Sequence, residues 1–599
     1  MGFSLKFVVV LPLLLAFGVK GDVIGRRVQL RQKPSGERTF VDEAGRELMF
    51  HGVNAIVKGP PWVPETNYWD GDISLGEKDM ADLESLGLNV IRLGSMWPGL
   101  EPEQGKFSEA YLNKLKEITA NAADHGIYTI LDMHQDVLSE NFCGEGAPNW
   151  VVQLADLPDG ATFPAPKNEN TSYTEDPDNV AADGFPLRSD CSKSGWASYY
   201  STYDCSYTFE QLYTNPQLVK AWSGFWSYLA KAFKGDETVL GYELINEPWA
   251  GDVFNKPSLY IPGVADRERL QPVYDQLVRA IRAIDEETLV FFAAVTWDDV
   301  VPAGFTAAPG GGSEADRSVF AYHYYEPPQA RDEHYFSTRL QDAQRLQVGS
   351  MLTEFERPRN SDPDAAGAER DPFFDTATAA DRNLQSWAMW ELKTFCKESN
   401  DSIASDSQNA AFGSCKTGYG ESNYLWDSAG NVNPIVAKKL ARTYPLAVAG
   451  NTTSMVFHAT TRLLTTGTTS TSTSTSSSSV AAAAAADATV PYPLREGDFV
   501  LEYTLDTFNA LPTEIFAHAS LYYDRGYQVS VEPEGILTWQ EPCSVGSSST
   551  GKFSSSSSSI SSSGGRADNV LKFYPARPNS MEDFGTPVKI FIRNGKQRE

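Results

Sequence analysis

Between residues 45 and 445 the chain repeats one pattern, in which short apolar runs alternate with longer amphipathic ones. The apolar runs are Leu48–Val57, Asn89–Leu93, Tyr128–Met133, Val239–Ile245, Leu289–Val295, Val319–Tyr325, Gly349–Phe355 and Ser386–Leu392. Helical spacing marks Tyr111–Asp124, Pro216–Phe233, Asp266–Ile284 and Phe336–Gln347 between them. A strand that is apolar on both faces needs cover on both faces, as in a parallel sheet wrapped by helices. Eight such strands with intervening helices predict an α/β fold, a closed (β/α)8 TIM barrel. An open doubly wound sheet is the competing arrangement, because periodicity alone does not number strands.

One connection breaks the rhythm. About 75 residues, Leu138 to Tyr213, follow the third strand and carry Pro, Asn, Asp, Gly and three Cys. On a barrel this loop would wall the C-terminal mouth, and a long loop in a compact domain is usually functional. After Tyr444 the texture changes to short strand-like runs, Phe499–Leu505, Tyr527–Val531, Val570–Tyr574 and Val588–Ile592, without helices between them. The expected division is therefore a catalytic barrel over 22–444 and an all-β sandwich of six to eight strands over 445–599. Low-complexity tracts at 465–486 and 547–565 interrupt the second part and cannot bury a core.

The N-terminal end reads as a targeting segment. Lys6 precedes an apolar run, Val8–Phe17, too short to span a bilayer, and Val19 and Gly21 have the small size a signal-peptide cleavage site requires. A leader over 1–21 predicts a secreted or lumenal protein, in which the six cysteines are candidates for disulfides. A Cys396–Cys415 bridge is the simplest local pairing, with a second bridge among Cys143, Cys191 and Cys205. Sequons at Asn170, Asn400 and Asn451 permit glycosylation. The 78 acidic against 50 basic residues give a net charge of −28, which excludes nucleic acid as a partner.

A barrel displays its chemistry at the C-terminal ends of its strands. Those ends read Arg92 on strand two; Asp132-Met133-His134-Gln135-Asp136 on three; Asn246-Glu247-Pro248 on four; His323-Tyr324-Tyr325 on six; Thr353-Glu354-Phe355 on seven; and Trp390 on eight. Strands four and seven face each other, so Glu247 and Glu354 form an opposed pair of carboxyls. Such a pair is what glycosidic cleavage requires, one protonating the leaving oxygen and the other attacking the anomeric carbon. Asn246 is placed to hold the sugar 2-hydroxyl, which makes Glu247 the acid/base. Glu354 is then the nucleophile, with Arg92 and Tyr325 as donors to it. His134 and His323 are candidates for contacting sugar hydroxyls or orienting the carboxyls, and Trp390 for stacking on a sugar face.

Leu244-Ile245-Asn246-Glu247-Pro248 and Leu352-Thr353-Glu354-Phe355 resemble the acid/base and nucleophile motifs of clan A retaining glycosidases, family 5 in particular. Three further stretches resemble endoglycoceramidases: Asn89 to Gly99, containing Met96-Trp97-Pro98-Gly99; Asp132 to Asp136; and Phe142-Cys143-Gly144-Glu145-Gly146-Ala147-Pro148-Asn149-Trp150. The resemblance implies an enzyme that cuts the β-bond between a glycan and ceramide through a covalent glycosyl-enzyme. It gives Lys58 and Asp136 the role of glycan contacts, and it matches Arg92, His134, Asn246, His323, Tyr325 and Trp390 around the two carboxyls. No cofactor or metal is expected, since two carboxyls suffice. Steryl β-glucosidase, endo-β-1,4-glucanase and an inactive glycan- or lipid-binding module are the alternatives. Glu391, beside Trp390, is a charge this pattern does not place. A monomer is expected that touches membranes transiently. With this charge, contact must be apolar, and Trp62, Trp69 and Trp150 are the candidate rim residues.

Overall fold

In the computed structural model, the described residues are 27–158, 191, 195–296, 301–325, 332–361, 371–395, 425–459, 495–540 and 569–595. The expected leader, both low-complexity tracts, the sequons at Asn170 and Asn400, and Cys396, Cys415 and Cys543 lie outside them.

Eight parallel strands close into a barrel: His51–Ala55, Val90–Gly94, Tyr128–Asp132, Val239–Glu243, Leu289–Phe292, Ser318–Tyr324, Gly349–Phe355 and Trp387–Met389. Nearly every position in them is buried, which explains why they read as apolar runs rather than alternating ones. Helices Glu77–Ser85, Glu109–Asp124, Pro216–Phe233, Gln271–Arg282, Asp332–Leu346, Pro372–Arg382 and Pro434–Leu440 pack outside. Their starts follow local chemistry. Ser108, Asn215, Asp371 and Asn433 each accept a hydrogen bond from a backbone N–H of the first turn, and Pro occupies the first helical position after the latter three.

The loop after strand three is partly helical where it is described. Asn149–Ala155 and Tyr203–Thr214 are helices, and the Cys143–Cys191 disulfide spans 48 residues across it. Cys205 remains a buried thiol, its Sγ 3.6 Å from the Val137 carbonyl oxygen.

The β-part contains two sheets. Gly450–Phe457, Phe499–Leu505, Pro587–Asn594 and Tyr527–Glu532 form one, antiparallel in that order. The other runs Gln29–Gln32, Arg38–Val41, Glu47–Leu48, Tyr444–Val448, Thr513–Phe516, Val570–Pro575 and Leu537–Gln540. Its first three strands come from early in the chain, although the expected division places all of 22–444 with the barrel. The apolar run Leu48–Val57 thus merges the end of a sheet strand with the first barrel strand. Apolar character in that run marks burial, and Leu48, Met49, Phe50 and Val53 are all buried, so the pattern does not separate the two strands.

That N-terminal hairpin also closes the bottom of the barrel. Val28, Leu30, Phe40 and Phe50 form a buried cluster with the inward residues Val90, Ile130, Leu289, Phe291, Val319 and Met351. The open end of the barrel is the opposite one.

Candidate active site

Arg92 organises the open end. It projects from strand two, is fully buried, and donates to Glu243 (2.7 and 3.1 Å), Asn54 (2.9 Å), Asn246 (2.9 Å) and Glu354 (2.7 Å), with Asp132 3.0 Å away. A buried guanidinium survives only when its donors are met, so these partners are fixed in place by the same requirement. Although burial works against its charge, Asp132, Glu243 and Glu354 raise the Arg92 pKa above the usual value.

Glu354 ends strand seven. One of its oxygens accepts from Arg92 and the other from the Tyr325 hydroxyl at 2.9 Å. Glu247 follows strand four with φ at +36°, a left-handed conformation that a non-glycine residue adopts at a cost of about 1–3 kcal/mol and that is common at catalytic positions. Its neighbour Asn246 is pinned at both ends of its amide: Oδ1 accepts from Arg92, and Nδ2 donates to the Gln135 carbonyl oxygen at 2.9 Å. That leaves Asn246 one amide N–H for a ligand. His323 stands between the two carboxyls, its Nδ1 2.8 Å from Glu247 and 3.5 Å from Glu354. Burial disfavours the His323 imidazolium, but Glu354 and Glu247 outweigh it and raise the pKa. An oxygen of Glu247 and an oxygen of Glu354 lie within 4.8 Å of one another.

A second group of charges lies around Trp390. His134 stacks on the indole with ring centroids 5.2 Å apart, and the Lys58 ammonium sits 4.7 Å over the same ring system. Lys58 pairs with Asp136 and lies 3.2 Å from Glu145. His134 bridges Asp132 (2.8 Å) and Asp136 (3.4 Å). Burial opposes its charge, yet these two carboxylates hold the His134 pKa up at about 9. Burial pushes both Glu145 and Glu391 up to about 8, against the pull of Lys58.

Two trios, His134–Asp136–Glu145 and Glu247–His323–Glu354, have the spacing to hold a cation. In the first, the Lys58 ammonium already supplies the positive charge. In the second, the carboxyls already have donors in His323, Arg92 and Tyr325.

The structure brings Lys58, Arg92, His134, Asp136, Asn246, Glu247, His323, Tyr325, Glu354 and Trp390 to the same end of the barrel. Sequence reasoning missed Asn54 and Glu243, which meet Arg92, and quoted Asp132 and Glu145 within longer stretches without giving either a role. The available signal was polar residues inside otherwise apolar strands, as in His51-Gly52-Val53-Asn54 and Gly241-Tyr242-Glu243. The three expected rim tryptophans are not exposed. Trp62 is buried, while Trp69 and Trp150 are partly buried and donate to Asp79 and the Glu101 carbonyl oxygen. Exposed apolar groups on the loops after strands one and four are Tyr68, 53 % exposed, and Phe254, Tyr260 and Ile261, 39, 46 and 58 % exposed.

Comparison with known proteins agrees with this geometry. Residues 41–395 match the family model of cellulase (glycosyl hydrolase family 5), and residues 442–551 match the glycoside hydrolase family 5 C-terminal domain. The chain belongs to glycosyl hydrolase family 5. It is 36 % identical over 506 residues to an endoglycoceramidase of Cyanea nozakii, covering 84 % of this chain and 87 % of that one. It is 40 % identical over 428 residues to an endoglycoceramidase of Hydra vulgaris, covering 71 and 75 %. Among solved structures, endo-glycoceramidase II from Rhodococcus sp. in its ganglioside GM3 complex superposes with a TM-score of 0.59 at 18 % identity, covering 93 % of this chain and 99 % of that one. That last likeness speaks for the fold. Family 5 membership makes the chain a glycoside hydrolase.

Proposed function

We propose that this chain is a secreted, monomeric endo-β-glycosidase that hydrolyses the bond between glycan and ceramide in glycosphingolipids with retention of configuration. The substrate class rests on the extent of its similarity to proteins named endoglycoceramidase. The stereochemistry rests on the resemblance of the two carboxyl motifs to those of retaining glycosidases, and the nearest Glu247 and Glu354 oxygens, within 4.8 Å of one another, are compatible with it. Retaining glycosidases hold their carboxyls about 5–5.5 Å apart, whereas inverting ones keep about 6.5–9.5 Å to fit a water.

The steps follow from the contacts. A Glu354 oxygen attacks the anomeric carbon while Glu247 gives its proton to the departing ceramide oxygen, leaving a glycosyl ester on Glu354. Water then attacks that carbon, Glu247 takes a proton from it, and the ester bond breaks to free the glycan and restore both carboxyls. Arg92 and Tyr325 hold the nucleophile in position. His323 orients the Glu247 carboxyl, and Asn246 offers its remaining N–H to the 2-hydroxyl.

Glu247 touches the leaving oxygen, so the ceramide leaves on its side of the mouth. Phe254, Tyr260 and Ile261 are on the loop that continues from Glu247, and they form the apolar rim for transient contact with a lipid surface. A net charge of −28 makes that contact apolar rather than electrostatic.

The purified protein should be offered fluorescent glucosylceramide, lactosylceramide, a ganglioside, a steryl glucoside and cellopentaose. Release of an intact oligosaccharide together with ceramide is expected. Activity confined to cellopentaose or steryl glucoside would overturn the substrate assignment. Glu247→Gln and Glu354→Gln should each lower kcat by a factor on the order of a thousand or more. Near-full activity in either variant removes that residue from its role.

A further inference from the structure

The stretch Phe142–Trp150 takes no part in the two-carboxyl chemistry, yet its backbone is built around Glu145. Glu145 pairs with Asp136 through both backbone groups, its N–H donating at 2.7 Å and its carbonyl oxygen accepting at 3.0 Å. The flanking glycines leave room for nothing else. A Cβ on Gly144 would stand 2.1 Å from the Asp136 carbonyl oxygen, and one on Gly146, at φ +130°, 2.2 Å from the Gln135 Cβ. Cys143 ties the other side of the turn to Cys191. The Glu145 side chain is wholly buried and accepts no hydrogen bond among the described residues, but while protonated it has the Asp136 carboxylate as a hydrogen-bond partner. Ionised, it would be a buried anion beside another carboxylate, which is costly. What it faces is the Lys58 ammonium, 3.2 Å away, whose side chain is 19 % exposed towards the mouth.

We infer that Glu145 is a positioning residue that sets where the Lys58 ammonium stands over Trp390, and through it how a glycan hydroxyl is held. The inference rests on the glycosidase reading of the site and adds a pH dependence to it. The charged groups around Glu145 are Lys58 from the loop after strand one, and His134 and Asp136 from the end of strand three; Glu391, after strand eight, acts on Lys58 from another side. Burial holds Glu145 in the protonated form up to a pH of about 8 against Lys58, with Asp136 adding to the shift. While protonated, it leaves the ammonium to Asp136 and the sugar. Once ionised, it becomes a second anion competing for that ammonium and draws it from the mouth. Glycan binding therefore weakens as pH rises through about 8.

The test uses the full-length enzyme with soluble aryl β-lactoside and aryl β-cellobioside, which carry no ceramide, so failure of the ceramide assignment leaves it intact. Wild-type KM should rise several-fold across the transition and then level off, with a smaller change in kcat. Glu145→Gln should move that rise towards pH 9, where His134 titrates, whereas Glu391→Gln should leave it near 8. An unmoved rise in E145Q, or one that moves with E391Q instead, overturns the inference. A second readout needs no turnover. A carboxyl whose folded pKa is raised weakens the fold as pH climbs from its ordinary value towards the raised one. The Tm advantage of E145Q over wild type should widen between pH 5 and 8 and then stay constant; a pH-independent difference also overturns it. If E145Q does not fold, Glu145→Asp, which keeps a titratable carboxyl but shortens its reach, should leave KM at pH 6 close to wild type and flatten the rise above pH 8; a KM profile identical to wild type overturns the inference.

Discussion

Tyr325 and Arg92 hold the same carboxyl, Glu354, by different means. Arg92 is sealed in the barrel with five polar partners, so its removal would strand charges and cost about 3–5 kcal/mol of stability. Tyr325 is 38 % exposed and gives Glu354 one hydrogen bond of 2.9 Å. Tyr325→Phe should therefore leave Tm nearly unchanged and lower kcat/KM by roughly 10- to 100-fold, the worth of a hydrogen bond to a charged group. Steady-state kinetics beside a melting curve would check both. At this scale the residues legible in the sequence were those that end a run, such as Glu247 and Glu354, because a polar residue there must face the mouth. Glu243 and Asn54 sit inside runs buried on both faces, where no alternation tells inward from outward.

The loop leaving strand four joins two features, Glu247, the proposed acid/base, and the exposed Phe254, Tyr260 and Ile261. Trp249 lies between them, stacked on Tyr200 at 5.4 Å and meeting Tyr260 edge-on at 6.2 Å, so the exposed end is braced against the barrel. Replacing Phe254 and Ile261 with Ser should reduce co-sedimentation with neutral liposomes and slow hydrolysis of bilayer-borne glycolipid more than that of a soluble aryl glycoside. Wild-type sedimentation that weakens sharply with added salt would contradict an apolar mode. The sequence marked the strands and long helices, whose periods are strong. It did not mark helix Tyr203–Thr214, which lies inside a stretch rich in turn-forming residues, or the burial of Trp62, Trp69 and Trp150, which depends on what the loops fold against.

Barrel and sandwich are tied by more than the chain passing between them. His51 of the first barrel strand is stacked between Trp387 of the last and Tyr444 of the sandwich, at 4.2 and 3.7 Å. Arg46 in the N-terminal hairpin pairs with Asp42 at 2.8 Å and donates to the Pro512 carbonyl oxygen at 2.9 Å. With one sheet built from both ends of the chain, calorimetry should show a single cooperative unfolding transition. Arg46→Met should lower its midpoint and broaden or split it. A wild-type profile with two resolved transitions would show that the parts unfold independently. The sequence could not show this, since its apolar periods report which residues are covered and not by which distant segment.

The shared sheet also has a consequence in time. Arg31, beside the first strand's end, donates to the Gly450 carbonyl oxygen 419 residues later. At synthesis rates of about 5–20 residues per second, the opening strands emerge roughly 20 to 80 s before the neighbour that covers their edge. Until then the hairpin presents unpaired backbone, the kind of edge that recruits other nascent chains. Tyr444–Val448 thus seals strands made long before it, and a chain truncated ahead of that segment would leave the oldest strands exposed.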